Sequence, residues 1–482
     1  MGSSMELNEY ACLDAVGLSG LIRDREISAA EVEQAARAAL GAVNDQVNGL
    51  ARAPFPRALS HGVGPFTGVP FLIKDSGPMA RGVPFFCGSR ALGDGIPAAE
   101  DHELMARFRA AGLATVGLTT SPELGLHFAT EPVRTGPTRN PWDVTRGVGG
   151  SSGGSAALVA AGAVPMAHGN DGAGSLRIPA SCCGLVGFKP SRGRTPHGAG
   201  TGFGAFGMLS EFALTRTLRD AAHLLDAVGG PGLGDAFSVP PPARPYAEEG
   251  RRGGEPSCLR VAVATGAWSG VAVNAEVAAA TTRVGEVLER LGHPVEAASP
   301  AVDWDGVVQA ATLEATALAA PFLLAPRRPP AHRMEAVSRV VLAEAAGRGA
   351  VELVAALNAA DQVTRAIARF FTTHDLLVTP TLGQLPAPHG ALDHNAEERG
   401  EGRSTTESWL RALFDYGPFT VPFNITGNPA VSLPLGMSAD GLPIGVQLVA
   451  AHGREDLLFR VGAQLADAMP WWHRRPAVFA GS

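Results

Sequence analysis

Lysine is almost absent from this chain: Lys74 and Lys189 stand alone against 37 arginines. Arginine replaces lysine as a surface cation but stays protonated, so it cannot readily serve as a base. A lysine kept in such a sequence is therefore a candidate for work that arginine cannot do. Cysteine is scarce as well. Cys12, Cys87, Cys182, Cys183 and Cys258 are too few and too scattered for a disulfide framework or for paired C-x-x-C metal ligands, and they read as free thiols. The adjacent Cys182 and Cys183 read as packing residues. No H-E-x-x-H occurs and the 13 histidines show no metal-ligand spacing, so neither a metal nor another cofactor is expected.

Positive charge is also in short supply. A net charge of −7 leaves no general basic surface, which argues against a nucleic-acid partner. The first residues lack the charged flank and apolar stretch of a signal peptide, and no charge-free apolar run is long enough to cross a bilayer. The expectation is a cytoplasmic protein without a membrane partner, with Met5 as its natural start. With 482 residues, 45% of them apolar and 18% charged, the chain can build one large core or two ordinary domains.

Glycine, by contrast, is abundant, and it concentrates between Gly149 and Pro190, around Ser151 and Ser175. Without a Cβ the backbone can approach a bound group closely, so two hydroxyls among glycines suggest a reaction centre built partly from main-chain N–H groups. A phosphate-binding loop would need G-K-[ST], and no lysine precedes Lys189 in the stretch. A G-x-G-x-x-G spelling at Gly202–Gly207 follows a glycine- and proline-rich loop instead of a strand, which removes its dinucleotide context. Gly149-Gly150-Ser151-Ser152-Gly153 fits G-x-S-x-G, but that elbow requires an apolar strand leading into the serine, and Arg139–Arg146 is polar and interrupted by proline. A Ser-Lys arrangement, with neutral lysine as the base, remains. Lys74 ends the apolar run Val69-Pro70-Phe71-Leu72-Ile73, and burial would lower its pKa toward that of a working base. The competing reading is a lysine that merely pairs with Asp75.

Lys74, Ser151 and Ser175, in GGSSGGSAA followed by D-x-x-G-S-L-R-I-P, resemble the Ser-cisSer-Lys triad and long signature of the amidase signature family. The likeness extends from Ile27-Ser28-Ala29-Ala30-Glu31 to Gly441–Gln447. Within the family it is similar to the 6-aminohexanoate cyclic-dimer hydrolases, on His168-Gly169-Asn170-Asp171, Val421-Pro422-Phe423-Asn424 and Gly453–Leu458. The resemblance implies a single α/β domain over residues 5–482, a large mixed β-sheet surrounded by helices. Its signature core would span about 65–220, and a helical segment at about 303–416 would shape the substrate pocket.

For the site, the resemblance implies that Lys74 activates Ser151, that Ser151 activates the nucleophile Ser175, and that the peptide before Ser151 is cis. The N–H groups of Gly172, Ala173, Gly174 and Ser175 would form the oxyanion hole. Asp171 and Arg177 would pair to fix that loop, with Ser152 in support. Gly149, Gly150, Leu126, Phe128 and Thr130 would contact substrate. The implied partner is a small apolar amide, linear or cyclic, with a homodimer left open as the assembly. A carbamate or ester hydrolase or an acyltransferase would use the same groups. A tRNA-dependent amidotransferase subunit fits less well, since Ser191-Arg192-Gly193-Arg194-Thr195-Pro196 stands where that branch has Y-G-R-V-S-R, and a non-catalytic scaffold would not need an intact triad. Two departures from the family pattern stand out: Ala173 replaces a glycine of the loop, and the usual G-K-T-N reads Gly117-Leu118-Thr119-Thr120.

Local signals place the elements. Ser28 and Glu31 form a capping box before a helix with Val32, Ala36, Ala39, Leu40 and Val43 on one face. Helices are also expected at about Glu100–Ala111, Leu218–Val228, from Asn274 to Leu291, and Glu455–Met469, with strands at Leu113–Val116, Leu259–Ala264, Pro294–Ala297, Leu376–Val378 and Ile444–Val449.

Overall fold

The runs Pro70–Lys74 (β1), Ala114–Thr119 (β2) and Met166–Asp171 (β3) are buried at every position and lie side by side, β1 in parallel with both neighbours. Strands covered on both faces have no solvent side to mark with polar residues, so β1 and β2 read as largely hydrophobic stretches, whereas β3 turns polar from His168 to Asp171, where it reaches the site. The structure, a computed structural model, describes residues 5–198, 204–252, 258–395 and 405–482. Met1–Ser4, Gly202 and Phe203 lie outside the described residues.

Seven further strands complete a ten-stranded mixed sheet: Val186–Lys189 (β4), Ser210–Thr215 (β5), Val261–Val263 (β6), Val295–Ala297 (β7), Leu376–Pro380 (β8), Ala430–Met437 (β9) and Pro443–Ala450 (β10). Across the sheet the order is β7-β6-β8-β10-β9-β4-β5-β3-β1-β2. The two ends are parallel and the middle is antiparallel. Arg139–Asn140 and Asp143–Gly147 form a separate two-stranded ribbon, so no sheet strand runs into Ser151 and the elbow geometry is absent.

Helices cover the sheet. The first long one, Ala29–Val47 (α1), starts with the capping box of Ser28 and Glu31 and buries the five apolar residues of its predicted face. Glu103–Ala110 (α2) starts later than expected because Asp101 is occupied, accepting from Arg81 N and pairing with Arg109. Gly153–Ala160 (α3) and Arg177–Cys183 (α4) are short and wholly buried. Leu218–Val228 (α5) matches its expected bounds, and Ala275–Arg290 (α6) is capped by Asn274 but leaves Leu291 at its exposed end.

The region from 303 to 416 is mostly helical: Trp304–Leu324 (α7), Ala336–Gly347 (α8), Ala350–Phe370 (α9) and Thr406–Tyr416 (α10) surround β8 in sequence. By length and composition α7 could cross a membrane, although it carries Asp305 and Glu314. Half of that stretch is buried, and it packs against α8, α9 and α10 as a core helix does. Glu455–Ala468 (α11) closes the chain over the sheet. One hydrophobic cluster runs from Tyr10 to Ala480.

The α1 cap gives a direct test. Ser28→Ala should lower stability in urea by about 1 kcal/mol, because it frees the Glu31 N–H and removes the hydroxyl's own bond to the Glu31 carboxylate, leaving only the Ser28 N–H on it.

Candidate active site

The groups that converge here come from chain ends of elements, where side chains leave the packed layers. Lys74 is the last residue of β1, and Asn170 and Asp171 are the last of β3. Gly172–Leu176 then loops into α4, while Ser151 precedes α3. Lys74 is fully buried, and its Nζ lies 2.6 Å from Ser151 Oγ and 2.5 Å from Asn170 Oδ1. The Gly150–Ser151 peptide is cis. Burial lowers the Lys74 pKa to about 7, against the opposing pull of Glu211 and Asp171.

Asp75 does not pair with Lys74. Its carboxylate accepts from the N–H groups of Phe86 at 2.8 Å and Gly88 at 3.0 Å. The other lysine, Lys189, is equally buried and also lowered to about 7, by burial first and the Arg177 charge second; it donates to Pro190 O.

The loop carrying Ser175 is held from beneath. Asp171 and Arg177 form a fully buried ion pair at 2.8 Å, and Asp171 Oδ2 also accepts from Leu176 N at 3.1 Å. Burial alone would raise the Asp171 pKa, but the Arg177 charge and its hydrogen bonds hold it down to about 2. Arg177 donates onward to Thr420 O, Gln447 Oε1 and Asn424 Oδ1, so every side of the guanidinium is engaged. Thr420 Oγ1 donates to Ala173 O at 2.6 Å, and Asn424 Nδ2 donates to Asp171 O at 2.8 Å. Gly174 has φ +137°, and a Cβ there would meet Thr420 Oγ1 at 2.4 Å, so both conformation and space require glycine. Among the described residues, the N–H groups of Gly172, Ala173, Gly174 and Ser175 donate to no protein acceptor.

Ser152 and Ser155 brace β3 instead of capping α3: their hydroxyls donate to Asn170 O and His168 O. The unusual Thr119 and Thr120 tie the same region together, Thr119 Oγ1 to Ser155 Oγ at 2.7 Å and Thr120 Oγ1 to Thr138 Oγ1 at 2.7 Å. His168 lies behind Lys74, its Nε2 2.6 Å from Glu211 Oε2.

A cavity of about 620 Å³ opens over these groups and is lined by Ser151, Asn170, Gly172, Ala173 and Ser175. Leu126 and Phe128 line it, as does His127 between them. Gly149, Gly150 and Thr130 lie outside its lining. Thr130 is buried and its hydroxyl donates to Gly149 O, so it fastens the strand-side backbone. The opposite wall comes from α7 and α10, including Glu314, Trp409 and Phe414. Ser151 and Ser175 share this cavity, and no hydroxyl–hydroxyl hydrogen bond joins them among the described residues.

Asn170, Glu211 and Thr420 were not singled out in the sequence as site residues. Asn170 alone had a signal, its place inside His168–Asp171; Glu211 and Thr420 reach the site only through strand pairing and loop packing.

The Amidase family profile matches residues 27–459. The chain belongs to the amidase family. A relative from Paenarthrobacter ureafaciens named 6-aminohexanoate-cyclic-dimer hydrolase is 39% identical, with 96% of each chain covered, and one of the same name from a Pseudomonas strain is 40% identical at the same coverage. The solved structure of a 6-aminohexanoate cyclic dimer hydrolase superposes with a TM-score of 0.90 at 37% identity, covering 97% of this chain and 99% of the other. A bacterial aryl acylamidase superposes at 0.82 with 25% identity, covering 96% and 98%. Family membership and these relatives make the protein an amidohydrolase.

The buried pair beneath the amidase loop predicts a large cost for its removal. Arg177→Met should destabilise the protein by about 3–5 kcal/mol in denaturant titration, because Asp171 would be left buried and unpaired.

Proposed function

We propose that the protein hydrolyses small apolar amides, cyclic or linear, through a Lys74–Ser151–Ser175 relay and an acyl-enzyme, with a substrate class like that named for its 6-aminohexanoate cyclic-dimer relatives. The observation that carries this reading is the contact of buried Lys74 with Ser151 at 2.6 Å. A neutral lysine can donate one N–H to Asn170 Oδ1 and keep its lone pair for the Ser151 proton.

The steps follow from that arrangement. Lys74 Nζ takes the Ser151 proton while Ser151 Oγ takes the proton of Ser175, a transfer that requires the Ser175 hydroxyl to rotate toward Ser151 within the cavity both line. Ser175 Oγ attacks the amide carbon, and the free N–H groups from Gly172 to Ser175 receive the charge that develops on the carbonyl oxygen. The intermediate collapses by breaking the C–N bond, and the departing nitrogen takes a proton back from Ser151, which is resupplied by Lys74. Water then attacks the ester at Ser175, gives its proton to the same relay and releases the acid. From the helical region, α7 and α10 serve as the substrate wall. The aromatic side chains Phe128, Phe206, Trp409 and Phe414 in the cavity favour a second reading, an aryl amide substrate, under the same chemistry.

Hydrolysis of cyclic and linear aminohexanoate amides and p-nitroanilides tests both. Lys74→Ala and Ser175→Ala should each lower kcat by at least about 10³-fold, as losing one member of a coupled relay does elsewhere. Turnover that persists in Ser175→Ala would overturn the mechanism. Lys74 is charged below its pKa and basic above it, so kcat/KM should rise as pH increases through about 7 and then level off. A profile flat from pH 6 to 8 would remove Lys74 as the base.

A further inference from the structure

Lys74, Asn170 and Glu211 stand in a row on the neighbouring strands β1, β3 and β5, with Glu211 opposite Asn170 in the β3–β5 pairing. Glu211 lines the cavity together with Ser76, His102 and His197, a polar end that contrasts with the apolar side chains of α7 and α10. Its side chain is 12% exposed. His168 Nε2 holds Oε2 at 2.6 Å, while Oε1 accepts no hydrogen bond among the described residues and is left open to the cavity. Burial opposes ionisation, but the His168 hydrogen bond and the neighbouring imidazoles outweigh it and bring the Glu211 pKa below its ordinary value, so the group is a carboxylate at neutral pH. No lysine or arginine pairs with it among the described residues. The His168 ring receives Lys74 N at Nδ1, 3.5 Å away, and keeps its proton on Nε2 for Glu211; burial lowers its pKa, so it stays neutral. Burial lowers the pKa of His102 in the same way.

A buried charge without a counter-ion is costly, and a ligand that brings the opposite charge offsets that cost. The relay fixes the side on which such a ligand lies. The departing nitrogen takes its proton from Ser151, which bonds Lys74, and beyond Lys74 come Asn170 and then Glu211. We propose that the Glu211 end of the cavity is a subsite for an ammonium group on the amine half of the substrate, so that the enzyme hydrolyses diamines acylated on one nitrogen and free on the other. This rests on the amide-hydrolase reading of the site. Water adds across the C–N bond, releasing a carboxylic acid and the diamine, whose second nitrogen stays charged throughout. An ammonium brings three donors to a place where Oε1, the Ser76 hydroxyl and the neutral His102 ring offer acceptors. The apolar acyl chain lies against α7 and α10, and the cavity of about 620 Å³ has room for both halves.

Calorimetry on a Ser175→Ala parent, at about pH 8 where an alkylamine is still charged, separates binding from turnover. Three ligands decide: N-(6-aminohexyl)hexanamide with the cation on the amine half, N-heptylhexanamide with a methyl in its place, and 6-amino-N-heptylhexanamide with the cation on the acyl half. The parent should bind the first about 20-fold more tightly than the second, on the scale of one charge-assisted hydrogen bond, and the third no more tightly than the second. Glu211→Gln should bring the first ligand within about 3-fold of the second while leaving the affinity for the second within about 3-fold of the parent's. No preference for the first ligand in the parent, equal preference for both cationic ligands, a preference that survives Glu211→Gln, or equal weakening of charged and neutral ligands by that variant overturns the proposal. If the glutamine variant does not fold, the parent's choice among the three ligands still decides. Turnover of any of them by Ser175→Ala would instead refute the relay, while the affinities still settle the part played by Glu211.

Discussion

A fully buried guanidinium must have every face occupied, and Arg177 meets that demand by bonding four residues from three separate parts of the chain. It holds Asp171 at the end of β3, the carbonyl of Thr420, Asn424, and Gln447 in β10. The loop between Asp171 and Arg177 is only five residues long and is pinned at both ends by this pair. Four consecutive N–H groups can therefore remain without protein acceptors in a buried place, because the loop has no freedom to fold over and satisfy them. The energy that keeps the loop open comes from the network under it, not from contacts within it.

The two lysines show how similar environments lead to different roles. Both lie in the core with their pKa lowered to about 7, and both stand near the Asp171–Arg177 pair. Lys189, the last residue of β4, hydrogen-bonds to the neighbouring Pro190 carbonyl. Lys74 meets a serine hydroxyl and an amide oxygen whose residues, Ser151 and Asn170, line the cavity. Burial prepares a neutral amine in both cases, and only the neighbours decide whether it is positioned to take a proton.

Much of this was legible in the residues. The scarcity of lysine singles out Lys74, the glycine-set serines mark the loop, and apolar runs locate β1, β2, β6, β8 and β10, whereas β3, β4, β5 and β9 carry no such signal. What was not legible arises across the sheet. Glu211 meets His168 because β5 pairs with β3, and Thr420 meets Ala173 after 246 intervening residues, and no local pattern encodes either encounter. Thr130 shows the same limit of local pattern. It is four residues from Leu126, which does face the cavity, but its hydroxyl turns inward to Gly149 O, and sequence proximity carries no information about that turn.

Lys74 and Asn170 end two strands that are hydrogen-bonded to each other in parallel, Phe71 opposite Met166 and Leu72 opposite Ala167. The opposing cavity wall, α7 and α10, contributes no strand to that register. The strand ends that carry Lys74 and Asn170 and the helices of the opposite wall are thereby separate mechanical parts, so drift in the wall helices leaves the register that spaces Lys74 from Asn170 in place.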